Sequence, residues 1–191
     1  IPPSYRALTN LEELVLINDS LLDIDKTLTT FSNSKGLTIL DIEGTDLERF
    51  PKEVFKFKNL EYLKLRNDNI KVIPVEISEL KNIRILDLGD NQITIIPESI
   101  VGLEKLETLY FDNEKDLIFN SSFILLEKIP NLKELHLEGN KIDSKEVEQL
   151  DMQKLEKLFM DTKKNPTIDL KLNNVKHENL KVRHQGININ K

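Results

Sequence analysis

Seven copies of one short apolar pattern run along this chain and leave it few ways to fold. The pattern Leu-x-x-Leu-x-Leu opens at Leu11, Leu37, Leu60, Ile83, Leu106, Leu132 and Leu155. Its second and third apolar places hold Leu14 and Leu16, Leu40 and Ile42, Leu63 and Leu65, and Leu86 and Leu88. They continue as Leu109 and Phe111, Leu135 and Leu137, and Leu158 and Met160. Successive starts lie 26, 23, 23, 23, 26 and 23 residues apart. A period sustained this long means that one supersecondary unit is used again and again. The rest of each unit agrees: apolar residues fall ten places after the starts at Leu21, Leu47, Ile70, Ile93 and Ile142. Apolar-proline pairs then recur as Phe50-Pro51, Ile73-Pro74 and Ile96-Pro97.

The unit Leu-x-x-Leu-x-Leu-x-x-Asn-x-Leu, clearest in residues 83–93 and 132–142, resembles the leucine-rich repeat. The 23-residue form with Ile-Pro opening the return is similar to bacterial proteins of that family, including spirochaete ones, and to plant intracellular ones. The resemblance covers about residues 1 to 160. It implies an α/β solenoid with a parallel sheet on the concave face, mostly 3-10 or extended returns on the convex face, and few helices. Functionally it implies a binding scaffold, and it points to a secreted or surface-exposed bacterial protein that meets host or envelope partners.

The residues lead to the same architecture on physical grounds. Alternating pairs such as Leu86 and Leu88 read as a short strand with one apolar face. A single unit has nothing to bury that face against, whereas stacked units share a continuous core. The array is therefore expected over 1–160, with a degenerate capping segment over 161–191. Within it, Asp143-Ser-Lys-Glu146 reads as a capping box that starts a short helix. Ile1-Pro2 through Asn10-Leu11 aligns with Ile73-Pro74 through Asn82-Ile83, so residue 1 stands in mid-repeat. A removed leader or a longer parent chain is the expectation, and the missing signal peptide then says nothing about the compartment.

The ninth place of each unit turns the chain out of its strand. It holds Asp19, Thr45, Asp68, Asn91, Glu114, Asn140 and Lys163. Asparagine there donates and accepts, joining the backbones of adjacent turns, whereas an ionised aspartate only accepts. The aspartate turns are expected to be less tightly bonded. Glu114 and Lys163 read as departures, with an irregular outward loop across 113–123.

Chemistry is constrained mainly by what is missing. The chain has no cysteine, so disulfides, thiolate zinc sites and thiol nucleophiles are excluded. No apolar run approaches the roughly 20 residues of a membrane-spanning helix. A net charge of −6, with Lys outnumbering Arg 22 to 5 and scattered, argues against nucleic acid. Neither a Gly-rich phosphate loop nor a nucleophile elbow occurs, and His177 and His184 have no metal-ligand spacing. A non-enzymatic module without cofactor or metal is expected.

The window onto function is the set of strand residues facing away from the core. The third place carries Glu13, Ile39, Tyr62, Ile85, Thr108, Glu134 and Lys157. The fifth carries Val15, Asp41, Lys64, Asp87, Tyr110, His136 and Phe159, and the seventh Ile17, Glu43, Arg66, Gly89, Asp112, Glu138 and Asp161. Ile39–Tyr62–Ile85 and Tyr110–His136–Phe159 form two apolar or aromatic runs suited to a protein or peptide partner. Packing between neighbouring strands also favours such residues, and is the alternative for both. The acidic residues Asp87, Asp112 and Glu138, with Asp41, Glu43, Asp90 and Asp161, offer attraction for a basic partner or serve as a solvated rim. A different class of function is assembly: the array is a segment of a larger protein or self-associates through an uncapped end.

Overall fold

The computed structural model describes residues 3–137, 139 and 140. Among the described residues six strands form one parallel sheet in chain order. They are β1 (Glu13–Ile17), β2 (Ile39–Glu43), β3 (Tyr62–Arg66), β4 (Ile85–Asp87), β5 (Thr108–Tyr110) and β6 (Glu134–His136). The register reproduces the sequence period, with Glu13 opposite Ile39, Ile39 opposite Tyr62 and Tyr62 opposite Ile85. Ile85 then faces Thr108, and Thr108 faces Glu134. Among the described residues β1 has a strand neighbour on one side only.

The leucines of the pattern point inward. Leu40, Ile42, Leu63, Leu65, Leu86 and Leu109 are fully buried, and so is Phe111. Leu14 and Leu16 of β1 are only partly buried, because the outer side of that strand has no stacked neighbour in the described chain.

The returns divide by length. The three described 23-residue intervals each turn back through a 3-10 turn, at Lys52–Lys56, Val75–Glu79 and Glu98–Gly102. Pro51, Pro74 and Pro97 precede these turns at φ of −74°, −71° and −73°. The pyrrolidine ring fixes that angle, and the lost N–H is not needed on a loosely bonded convex side. The apolar partners Phe50, Ile73 and Ile96 are buried beneath them. A fourth such turn, Pro3–Ala7, lies 72 residues before Val75–Glu79, in the slot the amino-terminal alignment assigns it.

Both described 26-residue intervals hold an α-helix, α1 (Ile24–Phe31) and α2 (Phe119–Leu126). Three added residues are enough to replace the tight turn by two turns of α-helix. Asp23 caps α1 by accepting from the Lys26 N–H at 3.0 Å, and Ile24, Leu28 and Phe31 bury one face at helical spacing. The expected irregular loop over 113–123 is therefore corrected. Leu117 is buried and Ile118 donates its N–H to the Thr94 carbonyl, which ties the chain down just before α2 begins. The anticipated helix near residue 143, Lys163, the array boundary at 160 and the segment 161–191 lie outside the described residues.

Two columns hold the turns after the strands. The eighth place takes a left-handed backbone in every described unit: Asn18, Gly44, Asn67, Asp90, Asn113 and Gly139 all have positive φ. Only glycine and short polar residues adopt that conformation cheaply. At Gly44 a Cβ would also lie 2.5 Å from the Asn18 side-chain oxygen.

The ninth place forms an internal ladder. Asn91 Oδ1 accepts from the Asp68 and Ile70 N–H groups, while its Nδ2 donates to the Leu65, Leu88 and Gly89 carbonyls. Asp68 Oδ1 accepts from the Thr45 N–H and hydroxyl, but its Oδ2 is buried without a hydrogen-bond partner. The aspartate turn is thus the less fully bonded one. Glu114 is no departure from the ladder. Fully buried, it accepts the Asn91 N–H on one oxygen and the Ile93 N–H on the other, both at 2.6 Å. Its longer stem lets a carboxylate span the place an amide would fill.

Candidate functional site

The parallel register sets the third-place residues of β2 to β5 side by side, so Ile39, Tyr62, Ile85 and Thr108 make a continuous strip. All four are half-buried. They floor a groove of about 600 Å³ on the concave face. Its edges are charged: Glu13, Asp41, Glu61 and Glu107, with Arg84 as the one cation. Arg84 is held by Glu107 at 2.8 Å, and Lys133 reaches the same carboxylate at 2.6 Å. These two hydrogen-bonded cations hold the Glu107 carboxyl below the usual carboxylate range. Glu13 and Glu61 have no ion-pair partner among the described residues.

Below the groove the fifth and seventh rows form two ion-pair networks. Lys64 lies between Asp41, at 3.5 Å, and Glu43. Its pKa is raised: burial alone would lower it, and the bond to Glu43 with the two carboxylate charges outweighs that. Arg66 gathers three carboxylates, Asp87 at 3.2 Å, Asp90 at 2.6 Å and Asp112 at 3.4 Å. Reaching Asp112 means crossing two strands, and Gly89 makes room, since a Cβ there would meet the guanidinium at 2.8 Å. Burial pushes Asp87 and Asp41 up, against the pull of Arg66 and Lys64 respectively. Two cations against five carboxylates leave this half of the concave face negative.

The residues singled out in the sequence are therefore distributed as follows. Ile39, Tyr62 and Ile85 come together as one strip. Asp87 and Asp112 are buried in the Arg66 network rather than presented as an open rim. Tyr110 and His136 form a stacked pair, ring centroids 4.1 Å apart and planes 19° from parallel. His136 Nε2 lies 3.7 Å from Glu134 Oε2, so the carboxylate beside it comes from its own strand. Phe159 and Glu138 lie outside the described residues. Among the described residues no cluster of three His, Asp or Glu is placed to hold a metal ion, and no helix is long and apolar enough to cross a membrane.

Sequence reasoning passed over Lys64 and Arg66. Both stand in rows that were read for acidic and aromatic content, yet each is the only cation in its row among strands β1 to β5. A lone cation between carboxylates on neighbouring parallel strands was the available signal.

A family model described as leucine-rich repeat region matches residues 20–180. The chain belongs to the leucine-rich repeat family. Among solved structures it is similar to a leucine-rich repeat protein of Leptospira interrogans, at 26% identity and a TM-score of 0.57, over 84% of this chain and 51% of that one. It is also similar to internalin C2 of Listeria monocytogenes, at 25% identity and a TM-score of 0.62, over 79% of this chain and 62% of that one. The chain thus spans between half and two thirds of the length of each. No curated protein sequence matches it. The fold is a leucine-rich repeat solenoid, an architecture that serves in general as a scaffold for protein interaction.

Proposed function

We propose that the chain is a non-enzymatic recognition module that holds a protein or peptide segment against its concave face. The observation that carries this is the half-buried Ile39–Tyr62–Ile85 strip at the floor of a 600 Å³ groove. These side chains face away from the leucine core, so strand packing leaves one side of the strip for a partner to cover. Apolar groups gathered in a recess rimmed by charge have the composition of a binding hot spot. The Arg66 and Lys64 networks support the role by stiffening the strands beneath. The likeness to structures from two bacteria favours a bacterial protein, and a surface or secreted location is part of the same proposal.

Panning a displayed random-peptide library on the immobilised chain tests it. Selected binders are expected to lose at least about tenfold in affinity to Tyr62→Glu, as truncation or reversal at a hot spot does. Val75→Glu, at an exposed position on a return, is expected to leave them unchanged. Thermal melts would establish that both variants fold. Binders that tolerate Tyr62→Glu but not Val75→Glu would place recognition on the convex side and sink the proposal.

A further inference from the structure

The groove is not charge-balanced along its length, and the imbalance selects a partner. At the β4–β5 end, Arg84 and Lys133 share the Glu107 carboxylate, so cations outnumber carboxylates in that group two to one. At the β1–β3 end the exposed carboxylates of Glu13 and Glu61 border the apolar strip without an ion pair among the described residues, because Arg84, the strand neighbour of Glu61, is taken by Glu107. Glu13 stands directly opposite Ile39 in the register, and Glu61 immediately precedes Tyr62. Asp41, one strand place further down, has its nearest cation in Lys64 at 3.5 Å, and that lysine is shared with Glu43. The bases in this region are therefore engaged, and the free charge beside the apolar floor is negative.

Resting on the concave-face reading, we propose that the occupant is an extended protein segment in which an aliphatic or aromatic residue is flanked by lysine or arginine. The apolar side chain lies on Ile39, Tyr62 and Ile85, and the cations face Glu13 and Glu61. The dimensions agree. Adjacent strands are about 4.8 Å apart, so Glu13 is about 10 Å from the Tyr62 position, which three residues of extended chain at about 3.3 Å each span. An acidic segment meets uncompensated like charge at the same place, which is the repulsive element that gives a recognition surface its selectivity.

Three blocked heptapeptides test this by isothermal titration at low and moderate salt. One carries isoleucine and tyrosine between lysines. The second replaces lysine by glutamate, and the third replaces isoleucine and tyrosine by serine. The first is expected to bind at least about tenfold more tightly than either of the others, and more weakly as salt rises. Glu13→Lys with Glu61→Lys is expected to erase or reverse its advantage over the glutamate peptide. Tyr62→Glu makes a sharper control, because it adds negative charge and would strengthen any unspecific attraction for lysine, yet should abolish binding here. If the glutamate peptide binds equally and Tyr62→Glu destroys both complexes, the charge selection is wrong while the groove survives. If the lysine peptide ignores Tyr62→Glu, or none of the three binds, the groove reading falls as well.

Discussion

Replacing Asn91 by alanine is expected to cost about 3–5 kcal/mol, more than most single changes in a domain of this size. One side chain there closes five hydrogen bonds to the backbone. It accepts from Asp68 and Ile70 of the preceding unit and donates to Leu65 across the gap and to Leu88 and Gly89 in its own turn. Truncation removes the acceptor of two N–H groups and the donor to three carbonyls inside this buried ladder. Each unsatisfied buried group costs about 1–3 kcal/mol, and partial relaxation keeps the total below their sum. Urea unfolding followed by far-ultraviolet circular dichroism measures the loss. Because stability in stacked units is a sum of local and nearest-neighbour terms, amide exchange should accelerate first in β3 and β4. A cost under about 1 kcal/mol would mean that water or backbone shifts replace the asparagine, and that the ladder is not what joins the turns.

The second large effect is a dependence on pH centred on Glu114. Burial pushes its carboxyl up from 4.5 to about 7, although the Asn91 and Ile93 N–H groups pull the other way. A carboxyl whose pKa is higher in the folded protein favours the fold when protonated. Its contribution is therefore complete below about pH 4.5 and is lost as pH rises through about 7. The difference corresponds to about 3 kcal/mol across that window. Asp68, buried with one oxygen unpartnered, is raised by the same burial and adds in the same direction. The chain should thus melt at a higher temperature near pH 5 than near pH 8, the reverse of proteins held together by salt-bridged carboxylates. Glu114→Gln, which cannot ionise, should flatten most of this slope. A melting temperature that rises from pH 5 to pH 8 in the native protein would contradict the assignment.

The fold was legible because the period and the register are the same quantity. A 23-residue interval places Ile39 opposite Tyr62 and Tyr62 opposite Ile85, so the concave strip could be written down before any coordinate. The two described 26-residue intervals were harder. The signal there is a switch to helical spacing, Ile24, Leu28 and Phe31 behind the Asp23 cap in α1 and Phe119, Phe123 and Leu126 in α2, which the strand period hides. The eighth column escaped notice because Asn18, Gly44, Asn67, Asp90, Asn113 and Gly139 share a backbone angle rather than a chemical type. Glu114 was misread for a related reason. A column defined by asparagine hides the fact that a longer acid can reach the same two N–H groups. Charge pairing was the least visible layer. Asp87 and Asp112 look like open acidic positions in the sequence, and only the reach of Arg66 across two strands shows them to be enclosed.

The central claim, that recognition takes place on the third-place strip, is tested most directly by methyl spectra of isoleucine-labelled protein titrated with the lysine–isoleucine–tyrosine heptapeptide. Ile39 and Ile85 line the groove, whereas Ile95 and Ile118 are exposed elsewhere on the array. The account predicts saturable shifts at Ile39 and Ile85, with Ile95 and Ile118 unmoved. Shifts at Ile95 or Ile118 with Ile39 and Ile85 unchanged would contradict it.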